Sequence, residues 1–254
     1  MKLTGNTILI TGGGSGIGRG LAEAFHRLGN QVIIAGRRKG AFNETTTANP
    51  GMVSMPLNIE DPDSIRALAT HLSVEHPALN VLINNAGIMR REDLLQPSEN
   101  AADAESMIAT NLLGPIRLTA AVLPTLRHQA SAVVMNVSSG LAFVPLHLTP
   151  TYCATKAAIH SYTQSLRYQL RDSRIEVLEL IPPYVATDLL DGREDPRAMP
   201  LDQFIAETMD ILRREPDAKE ICVENVQRLR YAAEGGNYSG VFEGLNGGVA
   251  AASH

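Results

Sequence analysis

A short apolar run, Thr7-Ile8-Leu9-Ile10, breaks straight into Thr11-Gly12-Gly13-Gly14-Ser15-Gly16-Ile17-Gly18, and a helical pattern then runs to Leu28. A glycine cluster between a strand and a helix leaves one low-strain geometry, a tight βα turn whose backbone faces whatever lies above the sheet. Gly12 permits the turn, Gly16 lets the backbone approach a pyrophosphate, and Gly18 allows the helix to pack closely. The free N–H groups at the helix start, around Ser15 and Ile17, suit an anion. A tight turn without a ligand is the plainer alternative; the position in the first βα unit favours the cradle.

The remainder repeats this rhythm. Apolar runs at 31–35, 52–57, 81–83, 132–137 and 175–180 alternate with helical patterns, notably after Asp61-Pro62-Asp63, over about 104–126, and from Thr149-Pro150 to about Arg171. Such alternation predicts an α/β fold, a Rossmann-type doubly wound parallel sheet with helices on both faces. With 254 residues, 44% of them apolar, a single domain with a sizeable core is expected. Residues 1–187 form its dinucleotide-binding core. Residues 188–234 begin polar, with glycine and proline, and turn mostly helical; hanging off a strand end, they read as a substrate-covering lid, with a surface insertion as the alternative.

Charge and composition exclude several partners. Lys plus Arg is 22 against 27 Asp plus Glu, a net charge of −5, which lacks the basic field that nucleic acid requires. Two cysteines, Cys153 and Cys222, make no disulfide framework, and no Cys/His spacing resembles a zinc site, so no metal is expected. The first residues lack the apolar core of a signal peptide. The uncharged stretch 128–155 contains Asn136, Pro145 and Pro150 and reads poorly as a spanning helix. A soluble, cytoplasmic protein without a membrane partner is expected.

The residue that reads an adenosine ribose should lie about 20 residues beyond the glycine turn, as Asp or Glu for NAD. This chain has Gly36-Arg37-Arg38 there. A carboxylate repels a 2′-phosphate and a guanidinium pairs with it, so NADP(H) is favoured over NAD(H). Two solvated arginines in a turn are the alternative.

Tyr152 and Lys156 stand at i and i+4 of a helical stretch, a phenol and an ammonium on one face. With the glycine turn, Asn84-Asn85-Ala86-Gly87, Asn111, Ser139 and Pro182 to Thr187, they stand in an order that resembles the short-chain dehydrogenase/reductase family over essentially the whole chain. The resemblance implies a hydride-transferring oxidoreductase acting on a carbonyl or alcohol. Tyr152 is then general acid/base, Lys156 its partner and ribose ligand, and Ser139 the donor to the substrate oxygen. Asn111 holds a water on its backbone. Ser139 precedes Tyr152 by thirteen positions, the family spacing; Ser138 is the neighbouring alternative. Lowering a phenol pKa by two to three units takes about 3–4 kcal/mol. A cation about 4 Å away at an effective dielectric near 20 supplies about 4 kcal/mol. Asn85, Ala86, Gly87, Asn58, Ile59, Val185 and Thr187 complete the implied cofactor contacts.

Two departures stand out. Pro182-Pro183 replaces the usual Pro-Gly, fixing φ and removing an N–H in the loop that faces the nicotinamide, and Asn58 stands where Asp is usual. Residues 235–254 also form an atypical tail without the usual closing strand. With Leu141-Ala142-Phe143-Val144-Pro145, this is similar to a bacterial branch named after the D-alanylation of lipoteichoic acid, a name taken from operon association. Leu141, Phe143, Val144 and Leu146 suggest an apolar substrate wall, with core packing as the alternative, and His147 could reach polar substrate groups. A homodimer or larger homo-oligomer follows by analogy. The competing reading is an NADP(H)-binding regulatory or sensing protein with the same fold.

Overall fold

Successive residues of the first strand, β1 (Thr7–Thr11), serve two different cores. Ile8 and Ile10 join one buried apolar cluster and Leu9 joins the other. A strand buried on both faces needs apolar residues at every position, which is why the strand sequences are continuous runs. The computed structural model describes residues 1–93, 95, 100–190 and 195–250.

The chain continues through α1 (Gly16–Arg27), β2 (Gln31–Gly36), α2 (Lys39–Ala48), β3 (Val53–Pro56), α3 (Pro62–Glu75) and β4 (Leu79–Asn84). Then come α4 (Asn100–Ile108), a π-helical turn (Ala109–Leu113), α5 (Gly114–Arg127) and β5 (Ala132–Val137). The last elements are α6 (Pro150–Gln169), β6 (Ile175–Leu180), α7 (Leu201–Arg214), β7 (Glu220–Ile221), α8 (Glu224–Arg230) and α9 (Tyr238–Ala250). All strand pairs are parallel, in the order β3-β2-β1-β4-β5-β6-β7. The order reverses between β1 and β4, which opens a crevice at their carboxyl ends. The expected doubly wound α/β sheet is therefore present.

Local chemistry explains several boundaries. Asp61 caps α3 by accepting from the Asp63 N–H at 2.9 Å, with Pro62 in the first turn. Gly29, at φ +81°, ends α1 in the left-handed region. Gly114 begins α5 where a Cβ would stand 2.9 Å from the Ile59 carbonyl oxygen. Among the described residues, only the helical stretch Ala101–Arg127 is long and apolar enough to cross a membrane. It packs instead on α3, β4 and β5.

The segment expected as a lid is largely built into the body of the domain. Phe204, Met209 and Leu212 of α7 are buried in the main core, and Ile205 lies where a Cβ on Gly20 of α1 would come within 2.7 Å of it. Strand β7 extends the sheet beside β6. Residues 191–194 of that segment, and 251–254 of the tail, lie outside the described residues. The described tail is helical: α9 packs Val241, Phe242 and Leu245 against Val144 and Ala232.

Candidate active site

The glycine turn is shaped by the absence of side chains. Gly12 and Gly16 adopt φ of +69° and +50°. A Cβ on Gly12 would meet Asn85 Nδ2 at 3.0 Å, and one on Gly16 would meet Thr187 Cγ2 at 3.3 Å. The turn thus abuts both the loop after β4 and the loop after β6. Asn85 donates to the Thr11 carbonyl at 2.9 Å, while the N–H groups of Asn85 and Ala86 both reach Thr11 Oγ1 at 3.0 Å. Asn84 ties β4 to β5 and α5 through Asn136 and Thr119. α1 begins at this turn, next to Ser15 and Ile17, with no acidic residue in its first turn, and a helix start of that kind fits a pyrophosphate.

Beyond β2, both arginines are exposed. Arg38 contacts Ser15 Oγ at the start of α1, beside the cradle. Arg37 pairs with Glu60 at 3.3 Å, a carboxylate that also accepts from Thr110 at 2.8 Å. Asn58 accepts from the Glu60 N–H at 3.3 Å, and Ile59 is buried against Gly114. A 2′-phosphate at this edge would find Arg38 and Ser15 together, with Arg37 shared with an acid.

At the other end of the crevice, Ser139, Tyr152 and Lys156 are buried together. Ser139 follows β5, at the start of the turn 140–142, and accepts from the Leu141 N–H at 3.1 Å. Lys156 Nζ donates to the Val137 carbonyl at 2.8 Å and lies 5.6 Å from the centre of the Tyr152 ring. Burial holds the Tyr152 pKa well above its ordinary value, and the hydrogen bond from Ser139 opposes it without winning. Burial also draws Lys156 down to about 8, with the Glu179 carboxylate opposing. A Cβ on Gly87 would stand 3.8 Å from Lys156 Nζ, so the loop after β4 leaves room directly over the ammonium.

Asn111 sits in the π turn and uses its whole amide. Oδ1 accepts from the Ile88 N–H at 2.9 Å, and Nδ2 donates to the Ile88 carbonyl at 2.8 Å and to Thr155 Oγ1 at 3.2 Å. It pins the loop after β4 to α6. After β6, the Pro182 carbonyl accepts from the Gly140 N–H at 2.9 Å, while Val185 bridges to Met199.

The apolar wall divides. Leu141 and Leu146 pack against Tyr152, Met89 and Met107, whereas Val144 is fully buried against α9. His147 is engaged: Asn246 of α9 accepts from its backbone N–H at 2.7 Å and lies 2.8 Å from its Nδ1. Sequence reasoning missed Asn246, and it missed Glu92. The Glu92 carboxylate accepts from the Thr151 N–H at 2.9 Å and from Thr151 Oγ1 at 2.7 Å, capping α6 one residue before Tyr152. Both partners are distant in sequence and carry no local signal.

A Rossmann-type sheet with a glycine cradle at its switch point and a buried Ser/Tyr/Lys set at the same edge defines a class of dinucleotide-using oxidoreductases. The family described as short chain dehydrogenase matches residues 6–198, and the chain belongs to that family. It is 39% identical to the "Uncharacterized oxidoreductase DltE" of Bacillus subtilis (strain 168), over 97% of this chain and 98% of that one. It is 33% identical to the "NADP-dependent 3-hydroxy acid dehydrogenase" of Schizosaccharomyces pombe, over 74% of each. Among solved structures, a short chain dehydrogenase from Burkholderia cenocepacia J2315 in complex with NADP superimposes with a TM-score of 0.79 at 24% identity, covering 94% of this chain and 97% of that one. One from Burkholderia phymatum in complex with NAD reaches 0.78 at 22% identity, covering 92% and 95%. The protein is thus an oxidoreductase of this family, and its neighbours hold either dinucleotide.

Proposed function

We propose that the protein is an NADP(H)-dependent oxidoreductase acting on a carbonyl or alcohol, with Tyr152 as the general acid/base. The observation that carries this reading is the shared burial of Ser139, Tyr152 and Lys156 at the carboxyl end of the sheet, beside a side-chain-free glycine turn. Bound NADP(H) would supply or accept the hydride. The chain's own residues bind, orient and handle the proton.

Ser139 donates to the substrate oxygen, preorganised where negative charge develops. Tyr152 carries its proton firmly in this state, since burial raises its pKa; it is the acid in reduction and the base in oxidation. Lys156 holds the nicotinamide ribose and stabilises the phenolate. Asn111 positions α6 through Thr155 and serves proton exchange through a backbone-held water. Gly12, Ser15, Gly16, Ile17 and Gly18 cradle the pyrophosphate. Asn58 and Ile59 line the adenine side, Asn85, Ala86 and Gly87 the ribose, and Val185 and Thr187 the carboxamide. Arg38 with Ser15, assisted by Arg37, selects the 2′-phosphate. The NADP named for two of the similar proteins supports that choice.

Residues 188–234 supply the substrate cover, with Phe204, Met209 and Leu212 of α7 anchoring that segment in the core. A homodimer through the α4–α5 and α6 faces is supported by the exposed Ile108, Leu113 and Tyr168; a monomeric mass by light scattering would refute it.

The test is NADPH oxidation over aldehydes, ketones and quinones, with NADH alongside. Tyr152→Phe is expected to lower turnover by about 10²–10⁴-fold while binding NADPH and melting as wild type. Full turnover in that variant would overturn the role of Tyr152. NADPH binding with no turnover on any substrate class would favour the sensing reading.

A further inference from the structure

The loop between Ser139 and α6 carries Leu141 and Leu146, and both pack against the cluster of Met89, Met107 and Tyr152. After the turn 140–142 this loop has no helix or strand of its own, so its shape depends on the partners its backbone finds. Its start leans on α8, where a Cβ on Gly140 would lie 2.8 Å from Val226 Cγ2. Its end is tied by the Glu92 N–H, which donates to the Leu148 carbonyl at 2.9 Å. In between, the Leu146 N–H reaches Cys153 Sγ at 3.3 Å, and a thiol is a weak acceptor.

Asn246 of α9 grips the residues on either side of Leu146. Its Nδ2 donates to the Pro145 carbonyl at 3.1 Å and to the Phe242 carbonyl, one turn back, at 2.9 Å. Its Oδ1 accepts from the His147 N–H at 2.7 Å and lies 2.8 Å from the His147 Nδ1. Carbonyls only accept and a backbone N–H only donates, so these partners fix which way round the amide sits. The side chain thus pairs with this loop as a neighbouring strand would, through one donor and one acceptor. Asn111 holds Ile88 of the loop after β4 by the same device, and Ile88 packs on the same apolar cluster. Helix α9 contains Gly240, Gly244, Gly247 and Gly248, a composition that disfavours an isolated helix. Its order comes from docking: Val241, Phe242 and Leu245 pack against Val144 and Ala232, beside Asn246.

We propose that Asn246 is a positioning residue for substrate selection: by clamping Pro145 and His147 it fixes Leu146 against Tyr152, and so shapes an apolar wall for an alkyl substituent of the substrate. The proposal rests on the reading of Ser139, Tyr152 and Lys156 as the reaction centre, since that reading puts the substrate beside this wall.

The wall can be read without turnover. A reduced dinucleotide and a primary alcohol cannot exchange a hydride, so alkanols bind the NADPH or NADH complex unreacted, and cofactor fluorescence follows their affinity. From 1-butanol to 1-octanol the wild type is expected to gain about fourfold per added methylene, and Asn246→Ala about twofold or less. Alanine is a better helix former than asparagine, so this variant removes the clamp and not the helix. Asn246→Asp keeps the acceptor for His147 but loses the donor to Pro145, and is expected to fall between the two; it carries the comparison should Asn246→Ala not fold. Backbone hydrogen exchange at His147 is expected to be about tenfold faster in Asn246→Ala. A wild type that binds no alkanol, or binds all of them equally, overturns the proposal. So does an unchanged gain per methylene in the variant, which with faster exchange at His147 would mark the clamp as merely structural. Failure of the Tyr152 reading appears separately, as turnover that survives in Tyr152→Phe.

Discussion

The glycine turn above β1 and the inner face of α6 border the same crevice and meet opposite demands. At the turn the chain keeps side chains out: a Cβ on Gly13 would lie 2.4 Å from Ile34 Cγ2, and one on Gly18 2.4 Å from Asn85 Nδ2. On α6 it keeps polar side chains in, with Tyr152 and Lys156 each 5% exposed. Electrostatics follow this division. Arg37 and Arg38 stay in water, where pairing is screened. Lys156 loses its hydration, and its pKa falls to about 8. Exposed groups are enough to recognise an anion, but retuning an acid or base takes burial.

The comparison breaks hardest at the turn. Gly18→Val puts a side chain where a Cβ alone would stand 2.5 Å from the Gly12 carbonyl oxygen, which is backbone and cannot rotate away. A loss of about 3 kcal/mol or more is expected in urea unfolding; wild-type stability would show that the turn can open.

On α6 the corresponding test is pH. Lys156 titrates near 8 in the native state against 10.5 for an ordinary lysine. Between those values the unfolded chain binds more protons, so native stability rises with pH across that window. Relative to Lys156→Met, the wild type is expected to gain up to about 3 kcal/mol from pH 8 to 10.5. Parallel stability curves would show that the ammonium is not buried in solution.

Smaller effects sharpen the contrast. Arg38→Leu is expected to weaken NADPH about tenfold and leave NADH unchanged, because a single exposed charge-assisted contact is lost. Equal weakening of both would place Arg38 on the pyrophosphate instead. Glu92→Gln removes the acceptor charge at the start of α6 and is expected to cost about 0.5–1 kcal/mol. The melting temperature should then drop by about 1–4 °C.

Much of the architecture was legible because it is written in short-range pattern. Strands buried on both faces are apolar runs, and the α3 cap is an Asp-Pro-Asp string. Helix α2 escaped notice because its buried side is only Phe42 and Thr45 in a threonine-rich stretch. Strand β7 is two residues long and lies in what reads as continuous helix. The π turn in the long helix is also silent in the sequence, although it carries Asn111. Within the site, Tyr152 and Lys156 are legible through helical spacing. Glu92, Glu179 and Asn246 are not, since each acts on residues from 19 to 99 positions away.

The sequence by itself therefore determined the sheet, the glycine turn and the identity of the residues lining the crevice, all of which depend on neighbours within a few positions. Tertiary structure alone decided their electrostatic state. Solvation is set by everything packed around a group, so only the folded chain could reveal that Tyr152 is raised by burial, that Lys156 is lowered, and that a buried carboxylate on β6 meets Ser138 and His160.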